Sequence, residues 1–292
     1  MLNTLARSVY HHVRHTKRQL LRPWEGPALL KARYERIHGK PLTDTPKTFT
    51  ELLYHRMLEW HEYIDPQYPW LTDKYMVRSY VEQCVGPEYL IDLYWHGYRP
   101  NEIPWNVLLQ PCVIKPTHMS QRVLINDGHP NRFHVEQICK EWLKQNYYWN
   151  HREAQYYSLK PAIIIEECLR NEDHSLPLDY KVWCFHGQPA IIQVINSDRD
   201  THSFYSPKWE PLDIAYTQKK QWQERPRPDK LDEMLYIAHQ LSGEFDFVRV
   251  DLYHVKNTVY FGELTFTPTA GALRFADPSW DEHLGYLWRG SC

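Results

Sequence analysis

Several large classes of protein leave marks that are missing from this sequence. No apolar run approaches the ~20 residues of a membrane-spanning helix, and the first residues lack the apolar centre of a secretory signal. A cytoplasmic location is the expectation. The formal net charge is only −2, so no overall field draws the chain to nucleic acid or other polyanions. Six cysteines, Cys84, Cys112, Cys139, Cys168, Cys184 and Cys292, are scattered without a CxxC pair. Four of them lie in apolar or helical stretches, which reads as small buried thiols in a reducing compartment. Searches for GxSxG, HExxH and GxxxxGK[ST] return nothing, which argues against nucleophile-elbow hydrolases, zincins and P-loop enzymes. There is no internal repeat and no low-complexity tract.

What the sequence does have is one stretch where strand pattern and acids coincide, FDFVRVDLYHVKNTVYFGELTFTPTAG from Phe245 to Gly271. Val248, Val250 and Leu252 alternate with Arg249, Asp251 and Tyr253, the period of a strand with one buried face. Val259 to Thr265 is the return strand. A three-residue loop, Lys256-Asn257-Thr258, pairs Val255 with Val259 and sets Asp251 opposite Glu263, with Arg249 facing Thr265. A two-residue loop would put the acids on opposite faces. Cross-strand carboxylates are ~5 Å apart at Cβ and suit a hard cation bound through oxygen. The bland alternative is a surface salt-bridge cluster with Arg249.

The rest of the chain alternates helical and strand signals. Residues 1 to 40 are basic and helix-prone, with Leu2, Leu5, Val9, Val13 and Leu20 on one stripe. That stripe suits either a helix packed on its own domain or peripheral contact with a membrane surface. His11, His12 and His15 lack the carboxylate or cysteine that would complete a metal set. A helix covers Thr48 to Tyr63 with Thr48 or Thr50 as cap, and Thr72 or Asp73 caps the next, whose first turn carries Lys74. A lysine there opposes the helix dipole and needs another reason. Strands are expected at Tyr89 to Tyr94, Cys112 to Lys115, Val123 to Ile125, Ile163 to Glu167, Tyr180 to Phe185 and Ala190 to Ile195, with helices at His134 to Tyr148 and Asp232 to Leu241. The fold class is therefore α/β (α+β).

Taken in order, the segments TDKYMVR, CVIKPTH, IIIEECL, DYKVWCF, FVRVDLY and GELTFTP resemble the ATP-grasp superfamily. Between roughly Lys47 and Gly285, runs such as KTFTELL, LTDKYMVRSYV and LPLDYKVWCFHGQP are similar to its TupA-like branch, named for teichuronopeptide biosynthesis and associated with capsule and surface polysaccharides. The resemblance implies two α/β lobes gripping ATP behind a helical N-terminal region: residues 1–70, then a first lobe at 71–165 and a second at 166–292. It implies an ATP- and magnesium-dependent ligase that activates a carboxylate as an acyl phosphate and joins it to an amine. The partners would be a glycan or sugar acid and an amino acid or other amine.

The same resemblance assigns roles. Lys74, Lys115 and Lys181 take the phosphates and Asp179 the ribose. Glu166, Glu167, Cys168 and Leu169 form the adenine hinge, whose backbone holds the base. Asp251, Glu263 and Thr265 hold magnesium, and Arg249 steadies the acyl phosphate. Arg199 and His202, in the Ser197 to Ser203 loop, are candidates for the substrate carboxylate, although an ordinary polar loop has the same look. The chain departs from the family in the turn after Lys115, where His118-Met119-Ser120-Gln121-Arg122 replaces a glycine-rich HGSGG-like run, with Ser120 and Arg122 as side-chain substitutes. Thr265 stands where the wider superfamily has asparagine. Competing readings are a sugar kinase using the same cleft, a non-catalytic nucleotide- or glycan-binding protein, and a glycosyltransferase built on Asp198-Arg199-Asp200. The abundant tryptophans and tyrosines would stack on sugars but serve equally as core.

Overall fold

Two antiparallel sheets and the helices packed on them account for residues 26–217 and 222–290, the part of the chain described by this computed structural model. The first sheet has the order β1-β4-β2-β3, from β1 (Leu93–Gly97), β2 (Pro111–Pro116), β3 (Leu124–Asp127) and β4 (Ile163–Glu167). The second has the order β7-β6-β5-β8-β9, from β5 (Asp179–Phe185), β6 (Gln188–Ile195), β7 (His202–Tyr205), β8 (Phe247–Val255) and β9 (Thr258–Thr265). Residues 168–178 lead from one sheet to the other. The longer helices are α1 (Gly26–His38), α2 (Phe49–Glu62), α3 (Gln67–Thr72), α4 (Val77–Cys84), α5 (Arg132–Leu143), α6 (Leu231–Ser242) and α7 (Pro278–Arg289). Among the described residues no helix is long and apolar enough to cross a membrane. The basic stripe from Leu2 to Arg22 and Cys292 lie outside the described residues.

Strand alternation decides where the polar site falls. On β5, Tyr180, Val182 and Cys184 face the core formed with Met234, Ile237 and Leu241 of α6, while Asp179, Lys181, Trp183 and Phe185 face the other way. Trp183 and Phe185 are covered by Phe49 of α2 and Trp288 of α7. The half of that face bearing Asp179 and Lys181 is left for charged groups. In the first sheet Cys112, Ile114, Ile163 and Ile165 pack on Val135 and Cys139 of α5, which turns Lys115 and Glu166 to the opposite side.

Helix α2 ties the N-terminal region to the second sheet. Thr48 caps it and Glu51 completes a capping box, accepting from Lys47 N at 2.9 Å and Thr48 N at 3.1 Å. Further along, Arg56 is 5% exposed. It donates to the Phe247 and Phe266 carbonyls at 3.0 Å each and to Asp246 Oδ1 at 2.5 Å, with Trp288 stacked 4.2 Å from its guanidinium. Those two carbonyls are at the open end of the β8–β9 hairpin, so one helical side chain clips it shut. At the N-terminal side, Leu30 and Tyr34 of α1 bury against Tyr54 and Met57 of α2.

The hairpin departs from expectation in its turn and arrives at the expected pairing by another route. The loop has two residues, Lys256 and Asn257, both with positive φ (47° and 64°), and Val255 pairs with Thr258. Left alone, that register would set Asp251 against Gly262. A β-bulge between the Asp251 and Leu252 pairs takes up Gly262 as the extra residue, and Asp251 pairs with Glu263 while Arg249 pairs with Thr265. Glycine fits there because a Cβ would meet the Asp251 carbonyl oxygen at 3.0 Å. Elsewhere, β1 begins at Leu93 instead of Tyr89, since Pro87–Tyr89 form a 3₁₀ turn and Leu90 makes a lone parallel bridge to Phe261. Helix α5 starts at an Asn131 cap and ends at Leu143, short of Tyr148.

Candidate active site

Three strands, a helix entry and a loop deliver charged groups to one place. Asp251 of β8 is 3% exposed and receives Arg249 Nε at 2.6 Å, an Arg249 terminal nitrogen at 2.7 Å and Lys181 Nζ at 2.5 Å. Lys181 also lies 3.5 Å from Asp179. Arg249 continues to Thr265 Oγ1 at 3.1 Å, and Thr265 donates to Glu263 at 3.2 Å. Glu263 in turn is 3.5 Å from Lys74 Nζ and 3.8 Å from Arg249. Burial pushes the Glu263 carboxyl up, but Lys74, Lys181 and Arg249 outweigh it and hold the group at about 2.

Lys74 links the loop after β2 to the second sheet. Asp73 Oδ1 accepts from the Tyr75 and Met76 amides at 2.9 and 3.0 Å, which fixes the entry to α4 and frees Lys74 to reach across. Its Nζ donates to the Met119 carbonyl at 2.9 Å, in the loop that follows Lys115. The dipole cost of a lysine at this position is thus offset by a carbonyl and a carboxylate. Lys115 sits in a second cluster, donating to Glu166 Oε2 at 2.9 Å while Arg78 of α4 donates to Glu166 Oε1 at 3.0 Å and to the Ile91 carbonyl at 2.9 Å. Glu166 is therefore bound through its side chain by two cations. Glu167, Cys168 and Leu169 carry the chain out of the first sheet, with Leu169 packed on Ile91 and Val255. Arg199 lies in the exposed turn between β6 and β7, apart from His202, which starts β7 and meets Gln193 at 3.2 Å.

The loop after Lys115 keeps a glycine conformation without the glycine. Gln121 has φ +61°, the left-handed region that L side chains avoid. His118 is buried and its Nε2 lies 3.2 Å from the carbonyls of both Trp142 and Gln145, and Met119 is buried beside it. Packing thus imposes a left-handed turn on a residue other than glycine. Gln121→Val is expected to cost about 1–2 kcal/mol, since a β-branched residue suffers most there, and Gln121→Gly is expected to stay within about 1 kcal/mol of the parent. Urea unfolding midpoints of the two variants check this.

Some residues of the site carry no pattern in the sequence. Arg78 is four positions after Lys74, a helical spacing that was available to reading. Glu153 is not: it is buried just before the 3₁₀ turn Ala154–Tyr156, where Thr267 Oγ1 donates to it at 2.6 Å and Gln155 Nε2 donates to the same hydroxyl at 2.7 Å. Burial raises the Glu153 carboxyl to about 7, against the lowering pull of Thr267 and Arg33. A raised carboxyl contributes its stability below its ordinary value of 4.5 and loses it as pH rises through about 7. Glu153→Gln is therefore expected to melt with the parent at pH 5 and above it at pH 8, by the equivalent of roughly 2 kcal/mol. Calorimetric melts at both pH values decide it.

The donor set suits a nucleotide-bound magnesium. Among the described residues no group of three or more His, Cys, Asp or Glu side chains is arranged to hold a metal unaided. Magnesium ordinarily takes one or two carboxylates, and phosphate and water supply the remainder. Glu263, with its side chain 35% exposed, and Asp251 are such a pair. Three cations, Lys74, Lys181 and Arg249, balance three carboxylates, Asp179, Asp251 and Glu263. Phosphate oxygens drawing Lys74 and Lys181 away would release the two acids.

No curated protein matches the sequence. Solved structures with a similarity to part of the chain include D-alanine–D-alanine ligase from Helicobacter pylori (14% identity, 76% of this chain and 61% of that one, TM-score 0.42), D-alanine–D-alanine ligase from Bacillus anthracis complexed with ATP (11%, 67% and 53%, TM-score 0.40) and the ATP-grasp ligase PsnB complexed with minimal precursor, Mg and ADP (12%, 74% and 57%, TM-score 0.37). The chain spans little more than half the length of these proteins. A model of the TupA-like ATPgrasp family matches residues 51–289, which take in both sheets and every residue of the charged cluster, and the protein belongs to that family.

Proposed function

We propose that the protein is an ADP-forming carboxylate–amine ligase that attaches an amino acid or other amine to a surface polysaccharide or its precursor. The observation that carries the reading is the Lys74–Glu263 contact, which joins a first-lobe lysine to the Arg249–Asp251–Lys181 cluster of the second. Phosphoryl transfer needs positioned charge more than covalent help from the protein. Glu263 and Asp251 would hold magnesium, which would neutralise charge on the phosphates when bound. Lys74, Lys115 and Lys181 would orient the phosphates, and Arg249, kept in plane by its two bonds to Asp251, would present its remaining nitrogen to the substrate carboxylate.

In the first half-reaction a carboxylate oxygen bonds to the γ-phosphorus and ADP leaves. In the second the amine bonds to the acyl carbon, phosphate departs with the C–O bond, and the amine proton passes to solvent. ADP and phosphate should appear only when carboxylate and amine are both supplied. AMP as product, or ADP with no free phosphate, would remove the ligase reading; the latter belongs to a kinase.

A further inference from the structure

The row that carries Glu263 and Thr265 runs on past the end of β9. Leu264 and Phe266 belong to the core, so strand alternation sends Glu263, Thr265 and Thr267 to the opposite side. Thr265 is the residue that meets Arg249, at 3.1 Å, and Thr267 follows one step of ~7 Å further along. There the row ends at another acid. The Thr267 hydroxyl, on a residue 3% exposed, donates to Glu153 Oε1 at 2.6 Å and accepts from Gln155 Nε2 at 2.7 Å.

Two acceptors are left over. Gln155 is 2% exposed and its Oε1 is buried without a partner, while Glu153 Oε2 has no hydrogen bond to a described residue. The groups that face the acid do not fill the gap. Arg33 of α1, whose charge reaches Glu153, gives its terminal nitrogens to the His151 and Thr269 carbonyls at 3.5 and 3.4 Å. Glu263 of β9 is a like charge, and Tyr147 and Tyr156 are held protonated by burial and by the charge of Glu153. A buried carboxylate beside a second orphaned acceptor calls for a cation rich in N–H donors.

We infer that Glu153 is a catalytic residue of the second half-reaction: Glu153 Oε2 and Gln155 Oε1 receive the ammonium group of the amine substrate, and Glu153 takes one proton from it. The nitrogen, now with a free electron pair, bonds to the acyl carbon. The C–O bond to phosphate breaks with its electrons on the phosphate oxygen, which takes a second N–H proton, and Glu153 returns its own to solvent. Burial sets this carboxyl at about 7, where a base can both accept and release a proton near neutral pH. The role rests on the ligase reading, while the orphaned acceptors stand without it.

Two small amines separate the proton step from the rest. Ammonium must lose a proton before it can attack, whereas hydroxylamine is uncharged at neutral pH. With the full chain, magnesium, ATP and D-glucuronate or D-galacturonate as the acid, the parent should release ADP and phosphate with either amine. Glu153→Gln should lower the ammonium-dependent rate at pH 7 by about 10²-fold, keep the hydroxylamine rate within about threefold, and recover most of the ammonium rate at pH 9, where free ammonia is abundant. Thr267→Val should shift the ratio of the two rates in the same direction, and Thr267→Ser should restore it. A fall shared equally by both amines would mean a structural role, and no fall in either would leave the acid idle. Each overturns the proposal, as does a parent that uses hydroxylamine but not ammonium. No ADP from the parent with either amine and either acid removes the ligase reading instead, and this role with it.

Discussion

Glu263→Gln should lower ATP turnover by about 10²–10³-fold, the order of loss known for removing one preorganised oxyanion-hole donor. The substitution keeps the size of the side chain and its acceptor toward Thr265, 3.2 Å away, and takes only the charge that faces Lys74 and Arg249. The fold should tolerate it, because the side chain is 35% exposed and solvent screens part of every pair it makes. Asp251→Asn is a poorer test, since Asp251 anchors both Arg249 and Lys181 at full burial. ADP release measured over a magnesium series should show the variant needing far more metal. Equal kcat/KM in the two proteins at every magnesium concentration would sink the assignment of this carboxylate.

Arg56→Met is expected to destabilise the protein by about 3 kcal/mol or more, a large part of the ~5–15 kcal/mol typical of a folded domain. The cost comes chiefly from the Phe247 and Phe266 carbonyls, which lose their shared buried donor, and from packing lost against Trp288. Asp246 contributes less, being half exposed and still bonded to Trp288 Nε1 at 2.8 Å. Because Arg56 clips the open end of the hairpin, turnover should fall along with the urea midpoint. A loss below about 1 kcal/mol would mean that the carbonyls find water or another donor.

The charged cluster was legible wherever residue type and strand period agreed. Arg249, Asp251 and Tyr253 alternate on one face, and the DK, VIK and EE segments announce themselves in order. The strand at Tyr89 to Tyr94 misled because its apolar residues serve other ends: Ile91 packs on Leu169 and Val255, and only from Leu93 does pairing with β4 begin. Strand β7 escaped notice because four residues, His202–Tyr205, are too few to set a period, and its first residue is polar. Helix α7 shows what a cap can reveal: Asp277, bonded to the Ser279 amide at 2.9 Å, followed by Pro278, is a start signal in the sequence alone. Glu153 and Gln155 had no such signal, since burial and partners from distant segments define them.

The acids of the hairpin are separated by twelve positions, and an antiparallel pair with that even spacing must accommodate one odd residue somewhere. This chain keeps it at Gly262, inside the strand; a longer tip would hold it equally well. A relative with a third tip residue and no strand glycine would present the same carboxylates to the same side. Descent can thus shift length between tip and strand without moving the site, provided that both changes occur together.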